Sequence, residues 1–253
     1  MKRHSGTERS LAMSYLGLRR AIGLIGVFLP FVLVVGKIII EGPGMEGSIS
    51  AYYYTVMRGV LVGSLCAIGV FLLSYRYQKH DIIAAVLAGI FAIGVALFPT
   101  TPSVAPTPTD EAIGVVHAVC AGLFFLTLAY MSIFLFTRTY PSKMRSLRKP
   151  LEYLSLLVAT RTVSGKPLEP RKKWRNVIYR VCGYAIVLCV VLIGIVAIPS
   201  INNLVKHLHP VFWLESIAIL AFGFSWLIKG DTILKDRKRG RKSGLPATAQ
   251  VRP

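Results

Sequence analysis

The sequence has few acidic residues and few charges of either sign. Of its 253 residues, 11 are Asp or Glu and 30 are Lys or Arg, which gives a formal net charge of +19 although only 16% of the residues are charged. A soluble domain of this length seldom has so few charges, and long uncharged runs indicate a bilayer. The basic residues occur in blocks between apolar segments and not along one face, so nucleic acid is not expected as a partner.

Paired cysteines and the short signatures of common enzymes are also absent from the sequence. No two cysteines have CxxC spacing, and all four lie within apolar runs, at Cys66, Cys120, Cys182 and Cys189. Such thiols usually act as small hydrophobes, so neither a disulfide framework nor a structural zinc module is predicted. The sequence contains no GxSxG, HExxH, Walker or dinucleotide-binding pattern. The soluble enzyme classes that use these patterns are therefore not indicated.

Long apolar segments dominate the chain instead. Six of them lie at about 21–40, 59–75, 82–99, 113–136, 181–199 and 211–228. Each is close to the ~20 residues that a helix needs to cross ~30 Å of hydrocarbon. The sequence therefore predicts an all-α fold, an integral membrane bundle of six transmembrane helices over 21–230. A polar arm (1–20), a basic connector (137–180) and a basic tail (231–253) complete the chain.

The basic residues are distributed unequally between the two predicted sides of the membrane. All of the 30 Lys and Arg residues except Lys37, Arg58 and Lys206 lie on one side. The positive-inside rule places that side in the cytoplasm. We therefore predict cytoplasmic N and C termini in a bacterial inner (cell) membrane. The connector and the tail are expected to bind anionic lipid of the cytoplasmic leaflet.

Three features suggest how the predicted helices begin, end and pack. Pro150 starts an amphipathic stretch in the connector, which we expect to lie in the cytoplasmic interface. Asp81 stands at the start of the third span, where a carboxylate complements a helix N-terminus better than it fits a catalytic role. Small residues spaced by four predict close helix contacts at three pairs: Gly59 and Gly63, Ala85 and Gly89, Ala118 and Gly122.

Ionisable groups at membrane depth are the default functional candidates, because burying a charge in lipid is costly. His117 lies in the fourth span and Glu215 in the sixth, each about one turn from the predicted outer end, where Arg58 begins the second span. In a structural interpretation, Glu215 pairs with Arg58 or Lys206, and His117 hydrogen-bonds a tyrosine hydroxyl.

A metal site is the alternative interpretation of these groups. Imidazole and carboxylate are suitable zinc ligands, and His117, His207, His209 and Glu215 are predicted at one depth. Their spacing is not that of a recognised zinc motif. The structural interpretation is therefore favoured, and no cofactor is expected unless the metal alternative holds.

The stretch "SISAYYYTVMR", from Ser48 to Arg58, joins the first two spans on the predicted outer side. Its tyrosines suit an aromatic belt at the lipid headgroups. Arg58 adds a charge at the membrane entrance, in the same leaflet as His117 and Glu215. This combination favours a binding surface over a belt alone.

Four strings resemble a family of bacterial multi-pass membrane proteins of unknown function: "SISAYYYTVMRGVLVG", "GVALFPTTP", "VHAVCAGLFFLTLAY" and "PVFWLESIAILAFGFSWLIKG". The resemblance implies an integral membrane protein and directs attention to seven positions: Ser48, Ser50, Tyr53, Arg58, His117, Trp213 and Glu215. A more distant resemblance is to alkaline-ceramidase-like membrane hydrolases. The sixth span has no HxxxH, so that resemblance implies no catalytic residue here.

Three functions follow as hypotheses. The leading one is an outer-leaflet pocket formed by the seven positions, which binds a lipid headgroup or a small polar ligand. The first alternative is a zinc-dependent hydrolase of a lipid amide or ester, and the second is a small-solute transporter. Uninterrupted spans without an internal repeat disfavour the transporter.

Overall fold

The computed structural model describes residues 3–75, 79–138 and 170–230. Within these ranges the regular structure is entirely helical, so the predicted all-α class is confirmed. The predicted amphipathic helix after Pro150 and the basic tail lie outside the described residues.

Seven α-helices and three shorter helical segments make up the described chain. The α-helices are α1 (Arg3–Glu41), α2 (Arg58–Leu73), α3 (Lys79–Leu97), α4 (Pro108–Tyr130), α5 (Pro170–Val196), α6 (Pro199–Val205) and α7 (Pro210–Lys229). A 3₁₀ turn at Ser50–Tyr54 precedes α2, another at Lys206–Leu208 precedes α7, and a π-helical turn at Met131–Leu135 extends α4. The connection between α5 and α7 is therefore largely helical.

Five of the helices are long and apolar enough to cross a membrane. They are Leu16–Glu41, Lys79–Leu97, Pro108–Leu135, Lys173–Val196 and Pro210–Lys229. The remaining predicted span, 59–75, corresponds to α2, which is apolar but has only 16 residues. At 1.5 Å per residue it is about 24 Å long, shorter than a typical hydrocarbon core.

The long helices form a closed ring in the order α1, α2, α3, α4, α5, α7 and back to α1. Side chains of the ring meet in a central core around Trp226, whose ring packs edge-on against Tyr75 and Phe136 at centroid distances of 5.5 and 5.4 Å. We call the two ends of this bundle the Ser50 end, where α1 ends and α2 begins, and the Arg19 end.

Glycines allow two of the helix crossings to be close. A methyl group placed on Gly223 of α7 would lie 2.8 Å from the Val27 nitrogen and 2.9 Å from the Gly23 oxygen of α1. Gly89 of α3 faces the backbone of Gly69 in α2 in the same way. Backbones this close pack only where a side chain is missing.

The predicted small-residue contacts are confirmed at one of the three pairs. Ala85 is fully buried and Gly89 lies in the α2–α3 crossing. The other two predictions are wrong, because no atom of the described residues lies within 4 Å of a methyl group built on Gly59, Gly63 or Gly122. Those residues face away from the other helices, whereas the α1–α7 crossing was not predicted.

The Arg19 end contains buried polar contacts between helices. Arg19 of α1 is 9% exposed, and its guanidinium donates to the Tyr75 hydroxyl at 2.7 Å. The Arg20 side chain donates to the Gly230 carbonyl at 3.1 Å, just beyond the end of α7, where unpaired carbonyls attract cations. Asp81 is buried in the first turn of α3, the position expected for it.

Candidate functional site

The segment between α1 and α2 folds over the Ser50 end of the bundle and attaches to α7. The Phe212 N–H donates to the Gly47 carbonyl at 3.0 Å, and Tyr52 and Phe212 pack with Ile49 in an apolar cluster. The Glu41 carboxylate accepts the Val56 N–H at 2.7 Å on the other side of the segment. The segment is thus fixed at both ends, and Ser50 is presented at its centre.

Glu215 on α7 holds the start of the 3₁₀ turn. Its Oε2 accepts the Ile49 N–H at 2.6 Å and the Ser50 N–H at 3.2 Å, and its Oε1 lies 3.2 Å from Ser50 Oγ. The first N–H groups of a helical turn lack partners within that turn, so a carboxylate here satisfies them as a side-chain cap does. The predicted ion pairs of Glu215 with Arg58 or Lys206 are not formed.

His117 on α4 approaches Ser50 from the opposite side. The imidazole is 6% exposed, with Nδ1 2.7 Å from the Phe98 carbonyl oxygen and Nε2 3.1 Å from Ser50 Oγ. Pro99 has no N–H and α3 ends at Leu97, so the Phe98 carbonyl has no helical partner and is available to His117. The expected tyrosine partner of His117 is replaced by this carbonyl and a serine.

A continuous polar chain therefore crosses the Ser50 end. It runs from Glu215 on α7 through Ser50 in the connecting segment to His117 on α4, and it ends at Phe98 beyond α3. Three of the seven predicted positions are joined in it directly.

A small cavity lies beside this chain. It is lined by Ser50, His117 and Tyr53 together with apolar side chains of α2 and α3, and its volume is about 10 Å³. That volume is just enough for one water molecule. The headgroup pocket expected from the sequence is not open to this depth, so any larger group must bind nearer the surface.

Arg58 packs on Tyr53, one of the residues that line the cavity. The Arg58 guanidinium lies 4.0 Å from the centre of the Tyr53 ring and also donates to the Tyr53 hydroxyl. Arg58 is exposed, and among the residues with described side chains no carboxylate lies within ion-pair distance of it; the ion pair found is between Lys37 and Glu46 at 3.2 Å. This pair presents a positive charge outward.

Two of the predicted site residues are not part of the chain or the cavity. Ser48 Oγ accepts the Ala51 N–H at 2.9 Å and so stabilises the local turn. Trp213 is 55% exposed, and its ring packs edge-on against Phe212 on the outside of α7. It fits the predicted aromatic belt better than a binding site.

The four residues of the metal alternative do not converge. His207 is exposed in the 3₁₀ turn, and His209 takes a left-handed backbone conformation with φ 49° immediately before α7. Within residues 3–75, 79–138 and 170–230, no three His, Cys, Asp or Glu side chains form a group that could hold a metal ion. The geometry gives the zinc hypothesis no support, and it stays a prediction.

Backbone groups of Ile49 and Phe98 complete the chain, and these were missed in the sequence. The contact of His117 with the Phe98 carbonyl had a signal in the sequence: Pro99 ends a helix just after Phe98, and His117 was predicted at the same depth. Nothing in the sequence indicated that the Ile49 N–H would face Glu215.

Burial affects two tyrosines in the 3₁₀ turn. It raises the pKa of the Tyr52 hydroxyl above its ordinary value. Burial, followed by the negative charge of Asp110, also raises the pKa of Tyr54, whose hydroxyl donates to the Thr100 carbonyl at 2.5 Å. Both hydroxyls therefore remain neutral near physiological pH.

Comparisons with known proteins leave the family open. A scan against protein-family models found no match, and neither did searches of curated proteins and of solved structures. The resemblance to a bacterial multi-pass family accordingly stays a prediction, and the site is interpreted from its own geometry.

Proposed function

We propose that this chain is a six-span protein of a bacterial inner membrane with both termini in the cytoplasm. The distribution of charge supports this topology: the Ser50 end carries Lys37, Arg58 and Lys206, and most other basic residues belong to the opposite side. The short α2 can span if the bilayer thins locally and Arg58 extends to the headgroups.

Reporter fusions test the topology. Green fluorescent protein fused after Pro253 should fluoresce, and alkaline phosphatase fused there should be inactive. Alkaline phosphatase inserted after Thr107 should be active, because 98–107 would face the outside. The opposite pattern at either site would contradict the topology.

We further propose that the Ser50 end binds an anionic group, with a lipid phosphate as the leading ligand. The observation that carries this proposal is the exposed Arg58 guanidinium held on the Tyr53 ring. A guanidinium has five N–H donors, and Tyr53 engages only part of this set. The remaining donors suit a phosphate or carboxylate oxygen.

The residues behind Arg58 favour a ligand that also carries hydroxyl groups. Tyr53, on whose ring Arg58 lies, also lines the cavity beside Ser50 and His117, so the Arg58 site adjoins the mouth of that cavity. A glycerol or sugar part can hydrogen-bond at the mouth of the cavity while the anionic group stays on Arg58. Acyl chains of such a lipid would extend along the apolar surface of α2.

Co-purifying lipid tests the binding proposal. The protein is purified in mild detergent and its bound lipid is measured by mass spectrometry, for the unchanged chain and for Arg58→Ala. One anionic lipid class should be depleted at least several-fold in the variant. Lys206→Ala is the matched control, because Lys206 is also exposed at this end, and it should retain the lipid.

A second arm distinguishes a lipid from a free anion. Vesicles containing phosphatidylglycerol and solutions of inorganic phosphate are each tested for a rise in melting temperature. A rise with vesicles alone indicates a lipid phosphate, and a rise with phosphate alone indicates a soluble anion. Binding would be contradicted if the unchanged chain and Arg58→Ala carried the same lipid and neither vesicles nor phosphate raised the melting temperature.

A further inference from the structure

Two contacts in the polar chain compete for a single hydroxyl proton. The Phe98 carbonyl can only accept, so His117 Nδ1 must carry a proton. The Ile49 and Ser50 N–H groups can only donate, so Glu215 Oε2 must accept. The contacts of Oγ with Oε1 and with Nε2, at 3.2 and 3.1 Å, then need two protons, and the serine supplies one.

We propose that Glu215, Ser50 and His117 together form a proton-binding site that takes up one proton. The proton occupies either Nε2, which gives an imidazolium and a carboxylate, or Oε1, which gives a neutral imidazole and a carboxylic acid. Both arrangements complete both hydrogen bonds, and both leave the site with no net charge.

Without this proton, one of the two contacts places a lone pair against a lone pair. The site would also carry a net negative charge beside apolar side chains of α2 and α3. Burying an uncompensated charge of this kind costs several kcal/mol. The geometry around Ser50 is therefore that of the protonated site, and loss of the proton weakens the link of Ser50 to α7 or to α4.

Other titratable groups at this end have contacts of their own. Lys37 pairs with Glu46, Glu41 accepts the Val56 N–H, Asp110 accepts from the Thr107 hydroxyl at 2.7 Å, and Arg58 lies on Tyr53. Lys206, His207 and Glu111 are exposed to the surroundings, and His209 is partly exposed. Tyr52 and Tyr54 remain neutral because burial raises the pKa of each.

The cavity gives the proton a place to exchange. It touches Ser50 and His117 and has room for about one water molecule. A water there can donate to the second lone pair of Ser50 Oγ and so reach the hydrogen bonds that share the proton.

The proposal predicts a dependence of stability on pH. In the unfolded chain near pH 7 the histidine is mostly neutral and the glutamate is ionised, so together they hold almost no extra proton. The folded chain binds more protons than the unfolded chain, and stability must fall as pH rises. Above about pH 6.5, the unfolding equilibrium constant should rise about tenfold per pH unit until the folded site itself loses its proton.

Glu215→Gln tests this directly, because an amide reproduces the protonated carboxyl group. Its oxygen can accept from Ile49 and Ser50 while its NH₂ donates to Ser50 Oγ, which then donates to His117. We expect the variant to fold and to lose the pH dependence between about pH 6.5 and 8.5. The readout is thermal unfolding of the full chain in detergent, followed by tryptophan fluorescence.

Two further variants complete the test. His117→Ala removes one of the two acceptors, so the serine proton suffices for the remaining hydrogen bond, and the pH dependence should weaken, at a lower melting temperature. Glu111→Gln, an exposed glutamate of α4, should keep the dependence of the unchanged chain. A flat profile for the unchanged chain, the full slope in Glu215→Gln, or failure of Glu215→Gln to fold would each overturn the proposal. These results do not depend on whether Arg58 binds an anion.

Discussion

The Glu215 carboxylate accepts the Ile49 backbone N–H at 2.6 Å across 166 positions of sequence. This bond attaches the segment between α1 and α2 to the first turns of α7. It also directs Ser50 toward His117, so one carboxylate organises the whole Ser50 end. Loss of the Glu215 carboxylate should therefore affect both the attachment of this segment to α7 and the position of Ser50 beside His117.

Glu215→Ala should destabilise the protein by about 2–4 kcal/mol. The Ile49 and Ser50 N–H groups would lose their acceptor where the segment packs on α7, and unsatisfied buried donors cost about 1–3 kcal/mol each. Thermal unfolding in detergent measures the effect. The matched control Glu111→Ala removes an exposed carboxylate and should stay within about 0.5 kcal/mol. Equal effects of the two substitutions would contradict the assigned role.

Gly223→Ala should destabilise the α1–α7 crossing by about 1–3 kcal/mol. The added methyl group would lie 2.8 Å from the Val27 nitrogen and 2.9 Å from the Gly23 oxygen, so the helices must separate. Chemical denaturation in mixed micelles gives the change. Gly63→Ala is the control, because its methyl group has no neighbour within 4 Å in the part of the chain that the structure describes, and it should be neutral or slightly stabilising. If Gly223→Ala left the free energy of unfolding unchanged, the α1–α7 crossing would not be as close as described.

Tyr75→Phe should cost about 1–3 kcal/mol, because the buried Arg19 guanidinium loses an acceptor at 2.7 Å. The ring itself still packs against Trp226, so the loss reports the hydroxyl alone. Tyr130→Phe supplies the comparison, since its exposed ring packs beside Phe134. The two melting temperatures should differ by several degrees, and identical values would contradict the contact.

Treatment with a chelator should leave the melting temperature unchanged. Both Glu215 oxygens are already engaged in hydrogen bonds, and His117 is held between a carbonyl and a serine. We expect less than a 1 °C shift after dialysis against EDTA, together with no stoichiometric zinc by elemental analysis. A loss of several degrees that zinc restores would favour the hydrolase alternative instead.

Much of the fold followed from hydrophobic patterning. Apolar runs predicted the helices because a chain in lipid must pair its backbone groups within each segment. The end of α3 and the start of α7 have local signals in the sequence. Pro99 cannot continue α3, and Pro210 suits the first turn of α7. The predicted second span, 59–75, ends two residues too late, because Tyr75 extends the apolar run although α2 ends at Leu73.

Small-residue spacing was a poor guide to helix contacts. Gly59 and Gly63 have the expected spacing, yet both lie on a face of α2 that none of the described helices covers. Spacing identifies a face of a helix but does not say which neighbour covers it. The order of helices around the ring decides that, and it brought Gly23 and Gly223 together from distant parts of the chain.

The sequence alone determined that this protein is helical, largely apolar and supplied with few ionisable groups at membrane depth, because these properties depend on residue type and local period. It also identified Ser50, His117 and Glu215 as candidates. Only the tertiary structure decided their partners: Glu215 meets backbone N–H groups and not Arg58, and His117 meets Phe98 and Ser50. Hydrogen bonds act over about 3 Å, so they depend on how distant segments pack, which no local pattern contains.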